Sequence, residues 1–127
     1  MSSDKVEEWL KQSAYDLGTV EAMFQSRRYF YAVFMLHLSV EKALKGLYLK
    51  RLGEVPPKVH NLTYLLTRIG VRPPEDVGTF LMELNSAQAA TRYPDDLAAL
   101  QRAFTRKAAR QMIERGKEAL EWTKSLF

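Results

Sequence analysis

The sequence predicts an all-α protein, an up-and-down bundle of four long helices plus one short helix. Three observations carry this. Apolar residues recur at intervals of three and four through nearly the whole chain, which is the period of an amphipathic helix. No stretch shows the alternation of a strand. The breaks between periodic segments are brief and marked by proline, glycine and aspartate, which favours antiparallel neighbours on short connections. With 127 residues, 46% of them hydrophobic, residues 1–127 form one domain with enough apolar surface for a single core.

The first helix is expected at about 4–25, with Val6, Trp9, Leu10, Ala14, Leu17 and Phe24 near one face. Asp4 followed by Glu7 resembles a capping box. The second helix is expected from Tyr29 to Leu52. Its main stripe is Val33, Leu36, Val40, Ala43, Leu44, Leu47 and Tyr48, and Phe30, Phe34 and Leu38 form a second side. A helix apolar nearly all round is buried on two sides. It is either the centre of the bundle or the face of a partner chain. Lys50, Arg51 and Gly53 mark its end.

Pro56-Pro57 requires a loop over Glu54–Val59. A short helix at about 61–69 follows, with Leu62, Leu65, Leu66 and Ile69 inward and Gly70 as its stop. Pro74 suits the first turn of the next helix, about 74–90, which buries Val77, Phe80, Leu81, Leu84 and Ala87. Thr91–Asp95 is a turn on Pro94, and Asp95 or Asp96 caps a last helix running unbroken to about Leu126. Its stripe is Leu97, Leu100, Phe104, Ala108, Met112, Ala119 and Trp122. Up-and-down topology then sets Trp9 and Trp122 at the same end, with both rings largely buried.

Composition narrows the chemistry. There is no cysteine, hence no disulfide framework and no thiolate metal site. The two histidines, His37 and His60, belong to no metal-binding spacing, and no glycine-rich phosphate loop or nucleophilic serine motif is present. No metal and no cofactor are expected. The polar, acidic N-terminus and the lack of a long apolar run point to a cytoplasmic protein off the membrane.

The net charge of +4 is unevenly spread. Residues 1–26 carry −3, 27–72 carry +7, 73–99 carry −4 and 100–127 carry +4. Such alternation serves either a basic surface for a polyanion or attraction between neighbouring helices. Arg102, Arg106 and Arg110, four residues apart, form one cationic stripe on a continuous helix. Lys42, Lys45, Lys50 and Arg51 make a second cluster. His37, Glu41 and Lys45 share a helix face, which reads as a positioned polar edge more readily than as a catalytic site.

The run YAVFMLHLSVEKALKGLYL resembles the signature of HEPN domains, the higher-eukaryote and prokaryote nucleotide-binding family, where an apolar run precedes Glu-Lys and Leu-Lys. Ala14, Asp16 and Leu17 resemble the family's A-x-D-L. His60-Asn61-Leu62 resembles its His-x-Leu, and Arg92-Tyr93-Pro94-Asp95 its RYPD turn. Glu41, Lys42, Leu44 and Lys45 match the central pattern. The resemblance spans about residues 9–125. It implies a helical bundle, a homodimer, and a toxin–antitoxin-like pairing with a minimal nucleotidyltransferase. Ribonucleases of the family use Arg-x4–6-His. Here Leu97, Ala98 and Ala99 stand where Arg92 needs that histidine, so the activity is not carried over.

The resulting expectation is a nucleotide- or RNA-binding module with Lys42, Lys45, Arg92, Arg102 and Arg106 as its anion-binding residues. The alternatives are a degenerate metal-independent ribonuclease toxin using His37, His60 and Arg92, and a purely structural association subunit.

Overall fold

A helix that is apolar on two sides needs two sets of neighbours, and the computed structural model supplies most of them within one chain. The structure describes residues 2–127; Met1, part of the expected domain, lies outside them. Six helices follow in order: α1 (Ser2–Gln25), α2 (Tyr29–Leu52), α3 (Leu62–Ile69), α4 (Glu75–Arg92), α5 (Leu97–Ala103) and α6 (Arg106–Ser125). Helix α2 packs against every other helix.

The four long helices run up, down, up, down. Helices α1 and α2 are antiparallel: Ser13 meets Ser39, and Trp9 lies against Gly46. Helix α6 runs alongside α2 in the same direction, with Gly116 against Leu36 and Leu126 against Arg51. Helix α4 approaches α2 where Asn85 reaches His37. The core gathers Val20, Leu36, Leu44, Leu47, Leu62, Leu65, Phe80, Leu81, Leu84 and Ile113, all at most 1% exposed. Burying each such side chain contributes about 1.5–3 kcal/mol relative to leaving it in water.

Local signals end the helices where the sequence places them. Gly53 and Gly70 adopt left-handed conformations (φ 67° and 84°) and return their N–H groups to Leu49 and Leu66. Asn61 caps α3, accepting from Tyr64 N, and Asp96 caps α5, accepting from Ala99 N. The α1–α2 connection is a Schellman turn in which Arg28 N bonds Met23 O and Arg27 N bonds Phe24 O. Arg27 sits where glycine is usual, at φ 62°.

Three expectations are corrected. The last helix is two helices, so the bundle has four long and two short helices. Thr105 breaks it by taking an extended conformation and capping α6 through Ala108 N. A side-chain oxygen competing for the backbone N–H favours a helix start over continuation. Of its expected stripe, Leu97 is 58% exposed and Leu100 only partly covered, while Phe104 still packs against the core. Asp4 is not a cap, because α1 already begins at Ser2. Helix α4 starts after Pro74 and continues to Arg92, shortening the expected turn.

Trp9 and the end of α6 are level, as the topology requires. A side chain at Gly46 would stand 3.1 Å from Trp9 Cβ and 3.6 Å from the Phe127 ring. Both tryptophans are half-buried rather than enclosed.

Two glycines test this packing in opposite directions. A Cβ at exposed Gly18 meets nothing within 4 Å, so Gly18→Ala should stabilise the protein by about 1 kcal/mol through helix propensity. A Cβ at Gly116 would lie 2.5–2.9 Å from the fully buried Leu36, so Gly116→Ala should destabilise by about 1–3 kcal/mol. Urea unfolding of both variants checks the pair.

Candidate functional site

Two regions concentrate polar chemistry, one inside the bundle and one at its end. The inner one centres on Glu41, a carboxylate only 4% exposed in the middle of α2. A buried carboxylate must be hydrogen-bonded or it destabilises the fold. Glu41 Oε2 accepts from Lys45 Nζ at 2.9 Å, and Oε1 accepts from His60 Nδ1 at 2.9 Å. Lys45 is itself 7% exposed, whereas the His60 side chain is half-exposed. His37 Nδ1 lies 3.7 Å from the same Oε1.

The hydrogen positions follow from obligate donors. Asn61 Oδ1 accepts from Tyr64 N, and Asn85 Nδ2 donates to Asn61 Oδ1. Asn85 Oδ1 accepts from Leu62 N at 2.9 Å, so it is an acceptor. His37 Nε2, 3.3 Å away, must therefore carry a hydrogen and donate. Burial pushes the pKa of His37 down, outweighing the opposing pull of Glu41 and the Asn85 bond. A neutral ring donating through Nε2 turns a lone pair at Nδ1 toward Glu41. Helices α2, α3 and α4 are thus joined by one polar network, and α3 is held at its N-terminus by side chains from both long helices.

A second inner contact fastens α1 to α2. Ser13 Oγ donates to Ser39 O at 2.7 Å, and Ser39 Oγ donates to Ser13 O at 2.8 Å. Beside them, Lys42 Nζ stands 2.8 Å from Asp16 Oδ2. The family-signature residues Asp16, Glu41, Lys42, Lys45 and His60 are therefore spent on contacts between helices or between helix and loop. Arg92, Tyr93 and Pro94 are exposed at the end of α4.

Further ion pairs bridge helices. Glu21 of α1 takes Arg110 at 3.2 Å and Lys117 at 3.0 Å from α6, and Glu83 of α4 takes Arg115 at 2.7 Å. Arg110, foremost, holds the Glu21 carboxyl below its ordinary range. The alternating charge of the sequence is in this part attraction between neighbours. Among the described residues, Lys5, Lys11, Lys50, Arg51, Lys58, Arg68, Arg72 and Lys124 form no ion pair with a side-chain carboxylate, and neither do six more: Arg27, Arg28, Arg92, Arg102, Arg106 and Lys107.

These six gather at one end. Arg27 and Arg28 form the α1–α2 turn. The Arg106 guanidinium lies 5.2 Å from the ring centre of Phe24, in the last turn of α1. Arg92 lies 5.6 Å from that of Phe34, near the start of α2. Gln101 and Phe104, which flank Arg102 and Ala103, share a groove with Arg27 and Arg28. Of the five expected anion-binding residues, Arg92, Arg102 and Arg106 meet here. Lys42 and Lys45 do not; each is mostly buried on a carboxylate. Arg110 shares the Phe24 ring with Arg106 but is engaged by Glu21 and Glu114, and the break at Thr105 leaves Arg102 on a different helix from both. His37, expected at an edge, is interior at 2% exposure.

The sequence reading missed Asn61 and Asn85 as network members, and Arg27 and Arg28 as part of the basic end. Asn85 was visible as an amide next to Leu84 on the apolar face of its helix, and Arg27-Arg28 as a dibasic turn. Among the described residues, no group of three or more histidines and carboxylates is arranged to hold a metal ion, and no helix is long and apolar enough to cross a membrane.

The HEPN domain family model matches residues 6–126. Among solved structures the chain is similar to TT1696 from Thermus thermophilus, at 26% identity and a TM-score of 0.83, covering 97% of this chain and 98% of that one. It is also similar to ST0689, described as an archaeal HEPN homologue, at 30% identity and a TM-score of 0.75, covering 94% and 95%. No curated protein matches.

The buried histidine sets a pH dependence. The unfolded chain binds a proton at His37 near its ordinary pKa of 6.5, while the folded chain resists it. Its stability is complete above that value and declines as pH falls from there toward the lowered folded pKa. Urea midpoints should therefore drop between pH 7 and pH 5, and the drop should shrink in His37→Gln, which keeps a donor for Asn85 but cannot titrate.

Proposed function

This chain belongs to the HEPN domain family, and from that premise we propose that it is a nucleotide- or RNA-binding helical module whose phosphate surface is the arginine end of the bundle. One observation carries the reading. Lys42, Arg110, Arg115 and Lys117 join helices through carboxylates, whereas six cations without a carboxylate collect where the α1–α2 turn meets the ends of α4 and α5 and the start of α6. Unpaired guanidinium groups on one surface bind phosphate by charge and by paired N–H donors. Arg92, Arg102 and Arg106 contribute, with Arg27 and Arg28 beside them. Lys42 and Lys45 serve the fold instead. The module acts in the cytoplasm as partner of a minimal nucleotidyltransferase in a toxin–antitoxin-like pair.

Titrating RNA and ATP across a salt series tests the surface. Affinity should fall steeply with salt, and Arg102→Glu with Arg106→Glu should weaken binding and flatten the slope. Salt-insensitive or absent binding defeats the proposal.

A second reading is favoured by the His60–Glu41 contact. A carboxylate on Nδ1 orients the ring and leaves Nε2 free at a half-exposed position. That is the acid–base half of a metal-independent ribonuclease, with Arg92 as the phosphate-stabilising group. RNA cleavage by the wild type that is lost in His60→Ala would favour this reading. Intact RNA supports the binding module.

The module is a twofold homodimer in this proposal. Phe30 is buried in its own chain, but Phe34 and Leu38 remain only partly covered on the second side of α2. A self-complementary contact would cover them. Phe34→Glu should yield a folded monomer, by sedimentation and circular dichroism. A wild type that is already monomeric at micromolar concentration overturns the dimer.

A further inference from the structure

The arginine end also contains a groove of about 440 Å³ between the α1–α2 turn and the α5–α6 break. Arg27, Arg28, Tyr29, Tyr31, Gln101 and Thr105 are among its lining residues. We propose that this groove takes one unpaired nucleotide of a single-stranded RNA, its base stacked on Tyr31 and its phosphate held by Arg27 and Arg28. The inference rests on the phosphate-surface reading above and adds recognition of an unstacked base.

The groove is within the size range of small-molecule sites, room for a nucleotide and not for a double helix. A duplex hides its base faces and offers a protein mainly phosphates and groove edges. Aromatic rings beside guanidinium groups are what single strands exploit, because every base has a face to stack. Tyr31 is 47% exposed, an aromatic surface that the chain itself leaves open. Gln101, also exposed, brings an amide with both donor and acceptor to a base edge. Thr105 accepts from Ala108 N, which leaves its hydroxyl hydrogen to donate.

The backbone that carries the cations is held in place before any ligand arrives. Arg27 and Arg28 lie in the Schellman turn, their N–H groups bonded to Phe24 O and Met23 O at 3.0 and 2.8 Å. An anchored turn loses less freedom on binding than a loose loop. Neither arginine has a carboxylate partner, so phosphate is the complementary charge.

Fluorescence anisotropy of the full chain with a short single-stranded oligonucleotide and a duplex of equal length tests the groove. The single strand should bind about tenfold tighter at equal salt, the effect of one stacked base. Tyr31→Leu should bring the two to parity without changing the salt slope, and Tyr31→Phe should retain the preference. Gln101→Ala, at an exposed position, should reduce the preference and carries the test if Tyr31→Leu fails to fold. Equal wild-type affinity for both ligands overturns the groove and leaves the phosphate surface standing; no binding by either overturns both. A preference that survives Tyr31→Leu and Gln101→Ala puts the base elsewhere and overturns the assignment. An acidic peptide of equal charge that competes as well as the single strand overturns it too.

Discussion

The carboxylate of Glu41 is the constraint around which the bundle is organised. It sits near the middle of a helix that every other helix touches, so no water face is available to it. Its stabilisation has to come from inside: Lys45 one turn along the same helix, and His60 from the loop leading into α3. Removing one partner of a buried ion pair typically destabilises by about 3–5 kcal/mol, because the other charge is left in the interior. The proline-containing segment after α2 is tied down at its end, where His60 reaches Glu41 and the next residue, Asn61, caps α3. Beside Glu41, His37 bonds Asn85, which also takes Leu62 N, and this neighbouring set ties the central helix to α4 and to the start of α3.

Close packing supplies the second half of the arrangement. The approach of α6 to α2 is set by the absence of a side chain at Gly116, where Leu36 fills the space. Gly46 does the same for Trp9. The reciprocal serine bonds between Ser13 and Ser39 lie between α1 and α2 without leaving either hydroxyl idle. Small residues and paired hydroxyls let α1 and α6 lie close against α2 at those points.

Charge then divides by role. Exposed or half-exposed pairs such as Glu83–Arg115 contribute little individually, about 0–1 kcal/mol. Their larger effect is to neutralise the sides of the bundle. One end, lined by arginine and tyrosine, gathers six cations that no carboxylate engages. The family signature in α2 and the loop before α3 maintains the interior, while the proposed phosphate surface draws mostly on residues outside it. Arg92 belongs to the signature and to the surface at once.

The helical class, the burial of α2 on two sides and most helix boundaries were determined by the sequence alone. They rest on local rules: periodicity within a helix, glycine at a C-terminus, a side-chain oxygen at an N-terminus. The Glu41–Lys45 pair was legible for the same reason, being one turn apart. The break at Thr105 was not, because capping and continuation are close in energy there and the packing of Phe104 and α6 tips the balance. Nor was the burial of His37, the union of Asn61 with Asn85, or the parting of Lys42 and Lys45 from the arginines. Those depend on which helices cross and at what height, and contacts between residues far apart in the chain are set by three-dimensional packing that no one-dimensional period encodes.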